Sequence, residues 1–301
     1  MHVDNPHDRF FKETFSRPDV LTDFLRVYLP DSVRHGLSLD SLVREADSYT
    51  DDQLTEHFAD LVFSAEFGAQ AMKVVVLLEH KSYTEEHPHF QLNRYLLNVW
   101  ESQLKQKQPL TPILPIVVYH GKRRWKKRSM AAYFGKVPKP LTPFLPTFDY
   151  ILVDLSAISQ RLPEFSTDYA RVTGLLLQHS RQQRQFIKVL ENLGDMLQRL
   201  ANDAMGERFM ETAFLYAYWA TDLTKVDVIA IFRKISNRTG EIAMSTAERL
   251  INEGLEKGRE QGLEKGVRAL LKLGMDTDAI AAALEVSPDQ VKSILESIRK
   301  S

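Results

Sequence analysis

The chain has 301 residues, enough for one large domain or two ordinary ones. It is 44% hydrophobic and 26% charged, an ordinary balance for a soluble globular protein, and no apolar run is long enough to span a bilayer, so no membrane partner is expected. The absence of cysteine excludes disulfides and thiolate metal centres, and together with an N-terminus that lacks signal-peptide character it points to the cytoplasm. A net charge of −1 excludes a generally basic surface, so any grip on nucleic acid has to be local.

Residues 6–28 read as two short helices interrupted at Pro18, with Phe10, Phe11, Phe15, Phe24 and Leu25 supplying apolar faces. A weak pattern over 41–49 suggests a first strand. Residues 60–67 and 73–81 read as strands joined through Gly68-Ala-Gln-Ala71, which predicts a hairpin. Residues 90–106 form an amphipathic helix with Leu92, Tyr95, Leu96, Val99 and Leu104 on or near one face. Residues 113–119 and 149–155 are further strands, and Pro115 suggests an edge or a bulge in the first of them. Beyond residue 165 the pattern is helical. The expected class is α/β, a mixed sheet flanked by helices, followed by an α-helical C-terminal region. The expected domains are 1–165 as the core, 166–240 as a helical extension, and 241–301 as a glycine-periodic helix or linker with a small helix-turn-helix-like unit.

The chemistry gathers at the hairpin. If the turn is centred on 68–71, Asp60 lies opposite Glu79, because the two are equidistant from it. Facing residues on such a pair have Cβ atoms about 5 Å apart. Two carboxylates that close repel unless a cation lies between them. Strand periodicity puts Lys81 on the face of Glu79 and His80 on the other. Gln91 and Tyr95 are four apart and share a helix face. The set Asp60, Glu79 and Lys81 suits a magnesium-dependent phosphodiesterase, since magnesium prefers oxygen ligands and needs only one or two carboxylates beside substrate phosphate. The run Gly121-Lys122-Arg123-Arg124-Trp125-Lys126-Lys127-Arg128 is the one dense basic stretch and the expected DNA contact, with Trp125 expected to anchor the loop.

On these residues the chain resembles the PD-(D/E)XK nuclease superfamily, and Gln91-Leu-Asn-Arg-Tyr95 resembles the QxxxY motif of its RecB-like branch. The opening PHDRFFKETF, then DFLRVYLP, LLEHKS and PIVVYHG followed by Trp125 resemble the Rpn family of recombination-promoting nucleases, the YhgA-like transposases, over roughly residues 6–235. The resemblance implies a restriction-endonuclease-like core and a cation-dependent DNA endonuclease linked to recombination. It implies Asp60 and Glu79 as metal carboxylates, Lys81 as the motif lysine, and Gln91 and Tyr95 as supporting residues. Magnesium is the implied ion, with calcium or manganese as alternatives, and Asp8 is a candidate additional acid. Many Rpn members carry glutamine at the Lys81 position, so this chain departs toward the general superfamily pattern.

Each feature has a plainer reading. An E-x-K at a strand end is, alone, usually a solvated salt bridge. Asp8 and Lys12 fit a helix ion pair. His87 and His89 around Pro88 fit a loop, and His120 a turn. Gly254, Gly258, Gly262 and Gly266 recur every four residues, which suits either close helix approach in a homo-oligomer or a flexible linker. Two other function classes are therefore weighed: a DNA-binding accessory of transposition with an inactive nuclease fold, and a helical oligomerising interaction protein.

Overall fold

The computed structural model describes residues 6–45, 61–68, 72–81, 83–121, 123–202 and 204–300. Within strand 72–81 only the backbone is described up to residue 80. By its internal contacts the chain divides into two compact units, residues 2–243 and 244–301.

In the first unit, α1 (Pro6–Phe15) ends before Pro18, which opens α2 (Pro18–Tyr28) at a position where its missing N–H costs nothing. Phe11 stacks on Phe15 at 4.4 Å, and Phe15 meets Phe24 edge-on at 4.7 Å, so the two helices share one aromatic seam. A short α3 (Asp31–Arg34) leads into β1 (Leu37–Arg44). Gly36 precedes it because the Phe67 ring lies 2.4 Å from where a Cβ would stand. Next come β2 (Leu61–Phe67), β3 (Met72–Lys81), α4 (Pro88–Lys105), β4 (Ile113–Tyr119) and β5 (Ile151–Asp154).

The five strands form one sheet in sequence order. β1, β2 and β3 are antiparallel, whereas β4 and β5 join in parallel. The β2–β3 register runs from Leu61↔Leu78 to Phe67↔Met72 without a break, which is the predicted hairpin register over its described length. Asp60 lies outside the described residues. Pro115 pairs with Leu77 of β3, and pairing to β5 begins only at Ile116. The sheet is thus one strand narrower at Pro115, a setting in which proline is tolerated.

The sheet is followed by helices alone: α5 (Asp168–His179), α6 (Gln183–Asn192), α7 (Gly194–Leu200), α8 (Ala204–Trp219) and α9 (Lys225–Ile235). Phe10 of α1 stacks on Tyr216 of α8 at 4.0 Å, which ties the N-terminal helix into this helical layer. Thr224 and Asp227 complete a reciprocal capping box at the start of α9. The result is an α/β arrangement in which helices outnumber strands.

α10 (Asn237–Lys272) crosses the division between the units, and α11 (Thr277–Ala283) and α12 (Pro288–Lys300) complete the second. Its small core is Val267, Ile280, Ala281 and Val291. Glu285 takes φ +55° between α11 and α12, at the turn position where glycine is usual. Ser287 and Gln290 exchange hydrogen bonds as the Ser-Pro-Asp-Gln pattern predicts, with Gln290 N donating to Ser287 Oγ at 3.2 Å and Ser287 N to Gln290 Oε1 at 3.0 Å.

The glycine stripe lies within α10. A Cβ at Gly254, Gly258 or Gly262 meets nothing within 4 Å, whereas at Gly266 it would stand 3.0 Å from a Leu284 methyl. Gly258→Ala should therefore stabilise the surrounding turn by about 1 kcal/mol. Amide exchange of the full chain should slow about fivefold around residue 258. Gly266→Ala should give less, because Leu284 has to move. Equal gains at both positions would contradict the packing described here.

Candidate active site

The site is built where β3, β4 and β5 end together. The parallel register sets Glu79 beside Val117 and Lys81 beside Tyr119, and Tyr119 beside Asp154. His120 N donates to the Lys81 carbonyl at 3.0 Å, which extends the ladder one step past the strand. Strand periodicity gives Lys81 the same sheet face as Tyr119. That face is covered by α4: Val117, Tyr119, Leu92, Tyr95, Trp125 and Tyr150 form one buried cluster. Lys81 itself is only 9% exposed. A lysine that deep is uncommon unless its charge is used or compensated.

On α4, Gln91 Nε2 donates to Tyr95 Oη at 2.9 Å. The two residues are thus brought together as their spacing predicts, with Tyr95 buried in the cluster and Gln91 at its edge. Asp8 pairs with Lys12 at 3.1 Å along α1.

The basic run leaves β4 as an ordered loop. Gly121 is required here, because a Cβ would fall 2.2 Å from the Tyr119 hydroxyl. That hydroxyl donates to the Arg123 carbonyl at 2.5 Å. Asp154 Oδ2 accepts from Trp125 N at 3.1 Å, while its Oδ1 accepts from Ser156 N at 2.9 Å. Trp125, 7% exposed, meets Tyr119 edge-on at 5.1 Å and anchors the loop. Lys127 is held internally: its Nζ lies 2.7 Å from Asp149 Oδ1, donates to the Tyr150 carbonyl and sits 4.8 Å above the Tyr150 ring. Burial alone would raise the Asp149 carboxyl, but the Lys127 hydrogen bond and charge bring it below its ordinary value. Arg123, Arg124, Lys126 and Arg128 form no ion pair among the described residues. Lys122 lies outside them.

Among the described residues no group of three or more His, Asp or Glu side chains is placed to hold a metal ion. The side chains of the two carboxylates assigned to the metal lie outside the described residues. Asp60 is not described, and of Glu79 only the backbone position beside Val117 is.

Of the two buried histidines, His89 differs from expectation and His120 holds the structural place expected of it at the end of β4. His89 is no loop residue; Pro88 opens α4, and His89 lies fully buried in its first turn with Nδ1 3.0 Å from Tyr133 Oη. Burial lowers its pKa. His120 is 1% exposed, its Nδ1–H donates to the Leu177 carbonyl at 3.1 Å, and its ring lies 5.0 Å from that of His7. His120 is a packing element of the site's surroundings. Asp154 and Tyr150, which shape the basic loop, carried no local signal, since each works through a partner distant in sequence.

The family model described as "Putative transposase, YhgA-like" matches residues 5–207. The chain is 32% identical over 120 residues to the recombination-promoting nuclease RpnD of Escherichia coli O157:H7, covering 39% of this chain and 46% of that protein, less than half its length. It is 26% identical over 254 residues to the recombination-promoting nuclease RpnA of Escherichia coli K12, covering 83% of this chain and 84% of the relative. It is also 24% identical over 294 residues to the inactive recombination-promoting nuclease-like protein RpnE of the same strain, covering 94% and 95%. No solved structure matches the chain. A family match over two thirds of the sequence, spanning the sheet, α4 and the basic loop, makes this chain a member of the YhgA-like transposase family.

Proposed function

We propose that the chain is a metal-dependent DNA endonuclease with a PD-(D/E)XK-type core. The observation that carries this reading is the buried lysine at the end of β3, on the sheet face that α4 covers and to which α4 also brings the Gln91–Tyr95 pair. Relatives named recombination-promoting nucleases support it. In this reading Asp60 and Glu79 hold a magnesium ion. When bound, that ion supplies an activated water and positive charge against the developing phosphorane.

The remaining roles belong to side chains of this chain. Lys81 donates to a non-bridging oxygen of the scissile phosphate and stabilises its growing charge. Low exposure strengthens that interaction, because little water screens it. Gln91, fixed by its bond to Tyr95, positions the strand from α4. Arg123, Arg124, Lys126 and Arg128 bind substrate phosphate, and Arg suits this because its planar fork matches phosphate oxygens.

Plasmid cleavage by Lys81 variants tests the proposal. Lys81→Ala should cut about 10²-fold slower, the usual loss of one preorganised donor to a developing oxyanion. Lys81→Gln should retain more activity than Lys81→Ala, since glutamine still donates. Equal cutting by all three proteins would overturn the assigned role. The relative named inactive favours a second reading, a DNA-binding recombination accessory without catalysis. That reading predicts metal-independent DNA binding and no cutting by any variant.

A further inference from the structure

Between the segment that precedes α4 and the basic loop lies a cavity of about 470 Å³. Its walls come from residues 84–86 and Pro88, from the basic loop, and from Tyr133 and Tyr150. Four of its lining side chains, Arg123, Arg124, Lys126 and Arg128, are cationic and form no ion pair among the described residues. Glu85 and Glu86 also line it, which leaves a net lining charge near +2. Pro88, the first residue of α4, is part of the wall. α4 is 18 residues long, its His87 N-cap makes no side-chain cap, and its first turn holds no acidic residue. The helix's own first turn thus supplies no negative charge, and the lining acids near its positive end are Glu85 and Glu86 just ahead of it.

An independent observation lies at the buried side of the cavity. Tyr150 lines it, is 2% exposed, and its hydroxyl has no hydrogen-bond partner among the described residues. Neighbouring His89, fully buried and 5.0 Å from the Tyr150 ring, leaves Nε2 equally unpaired. Buried polar groups are nearly always satisfied, so two orphans side by side call for an absent acceptor or donor. Burial raises the Tyr150 pKa, which keeps its hydroxyl a donor at neutral pH.

We infer that this cavity is a subsite for a terminal phosphate monoester of a nucleic-acid strand. The charge decides between a monoester and an internal diester. A monoester carries nearly two negative charges and three strong acceptor oxygens, which matches a net +2 lining, an uncapped helix end and a tyrosine hydroxyl. An internal diester carries one charge and needs a path that continues in two directions. The identity of the strand as DNA rests on the proposed nuclease reading; the subsite itself rests on the cavity.

The test is fluorescence anisotropy on the full chain in EDTA, so that cutting plays no part. The probes are short single-stranded DNA oligonucleotides ending in 5′-phosphate, in 3′-phosphate or in hydroxyl at both ends, with inorganic phosphate as competitor. One phosphorylated end should bind about tenfold tighter than hydroxyl ends, as expected for one charge-assisted anchor. Inorganic phosphate should erase that excess. Tyr150→Phe should remove most of the preference at unchanged thermal midpoint, because the hydroxyl has no internal partner to lose. Arg124→Ala should do the same. Equal binding of phosphorylated and hydroxyl ends would overturn the inference, whether or not the protein cuts DNA in magnesium. A clear preference for phosphate ends without any cutting would uphold the subsite and sink the nuclease reading instead.

Discussion

Replacing Asp23 with alanine should destabilise the protein by roughly 3–5 kcal/mol, the cost typical of removing one partner from a buried charged network. Asp23 is 1% exposed on α2. Its two oxygens accept from Ser166 N at 3.0 Å, Ser166 Oγ at 2.9 Å, Thr167 N at 2.8 Å and Thr167 Oγ1 at 2.9 Å. Arg26 stands 3.6 Å away. Burial pushes the carboxyl pKa up, and the four donors more than reverse this, leaving it below its ordinary value. Thr167 also caps α5 by accepting from Ala170 N at 3.1 Å. One carboxylate thus joins α2 to the start of α5 across more than 140 residues of sequence. Alanine would leave two N–H groups and two hydroxyls without their acceptor at a buried position. Urea unfolding at neutral pH measures the effect, with Asp23→Asn expected to fall between wild type and alanine. A loss below about 1 kcal/mol for the alanine variant would contradict this account of how α2 is held.

The second large effect is acid lability above the carboxylate range. Burial lowers the His7 pKa to about 4, with the Arg181 charge adding to it. Burial lowers that of His120 to about 3, assisted by His7 and Arg181 and opposed by its bond to Leu177. The two rings face each other at 5.0 Å, and His7 Nδ1 lies 2.8 Å from the hydroxyl of Tyr216, itself deep among α1 and α8. In the unfolded chain both titrate near 6.5. The unfolded state therefore binds more protons below that pH, and the stabilising contribution is complete above 6.5 and lost as pH falls toward 4 and 3. Each histidine should withdraw roughly 1–1.5 kcal/mol per pH unit over that window. Unfolding midpoints at pH 7, 6 and 5 should fall steadily, and His120→Phe should flatten the fall. A midpoint independent of pH between 7 and 5 would show that the pair is not held neutral.

How much of this could be read from the sequence depends on the distance over which each residue acts. The break at Pro18, the 61–78 hairpin register, α4 and the strands at 113–119 and 151–154 follow from local periodicity and turn chemistry, and all are present. β1 begins at Leu37, before the 41–49 expected for it, because its register is fixed by Phe67 packing over Gly36 and by β2. Leu104 fits the apolar pattern of α4 yet is 60% exposed, whereas its neighbour Gln103 is the buried residue, bonded to Thr111. Asp23, Asp154 and Tyr150 look like ordinary polar residues in ordinary elements, and their roles exist only once residues far apart in sequence meet. At the candidate site, the Gln91–Tyr95 pair and the placement of Lys81 were legible from spacing alone. The division of the basic run was not: Lys127 is bound to Asp149, whereas four of its neighbours line the cavity.

The most direct test of the central claim is plasmid cleavage by purified wild-type and Glu79→Ala protein, each with magnesium, calcium, manganese or EDTA. Cutting by the wild type should require a divalent ion and be lost in Glu79→Ala while DNA binding persists. Cutting that survives in Glu79→Ala, or a wild type that binds DNA and cuts with none of these ions, would contradict that claim.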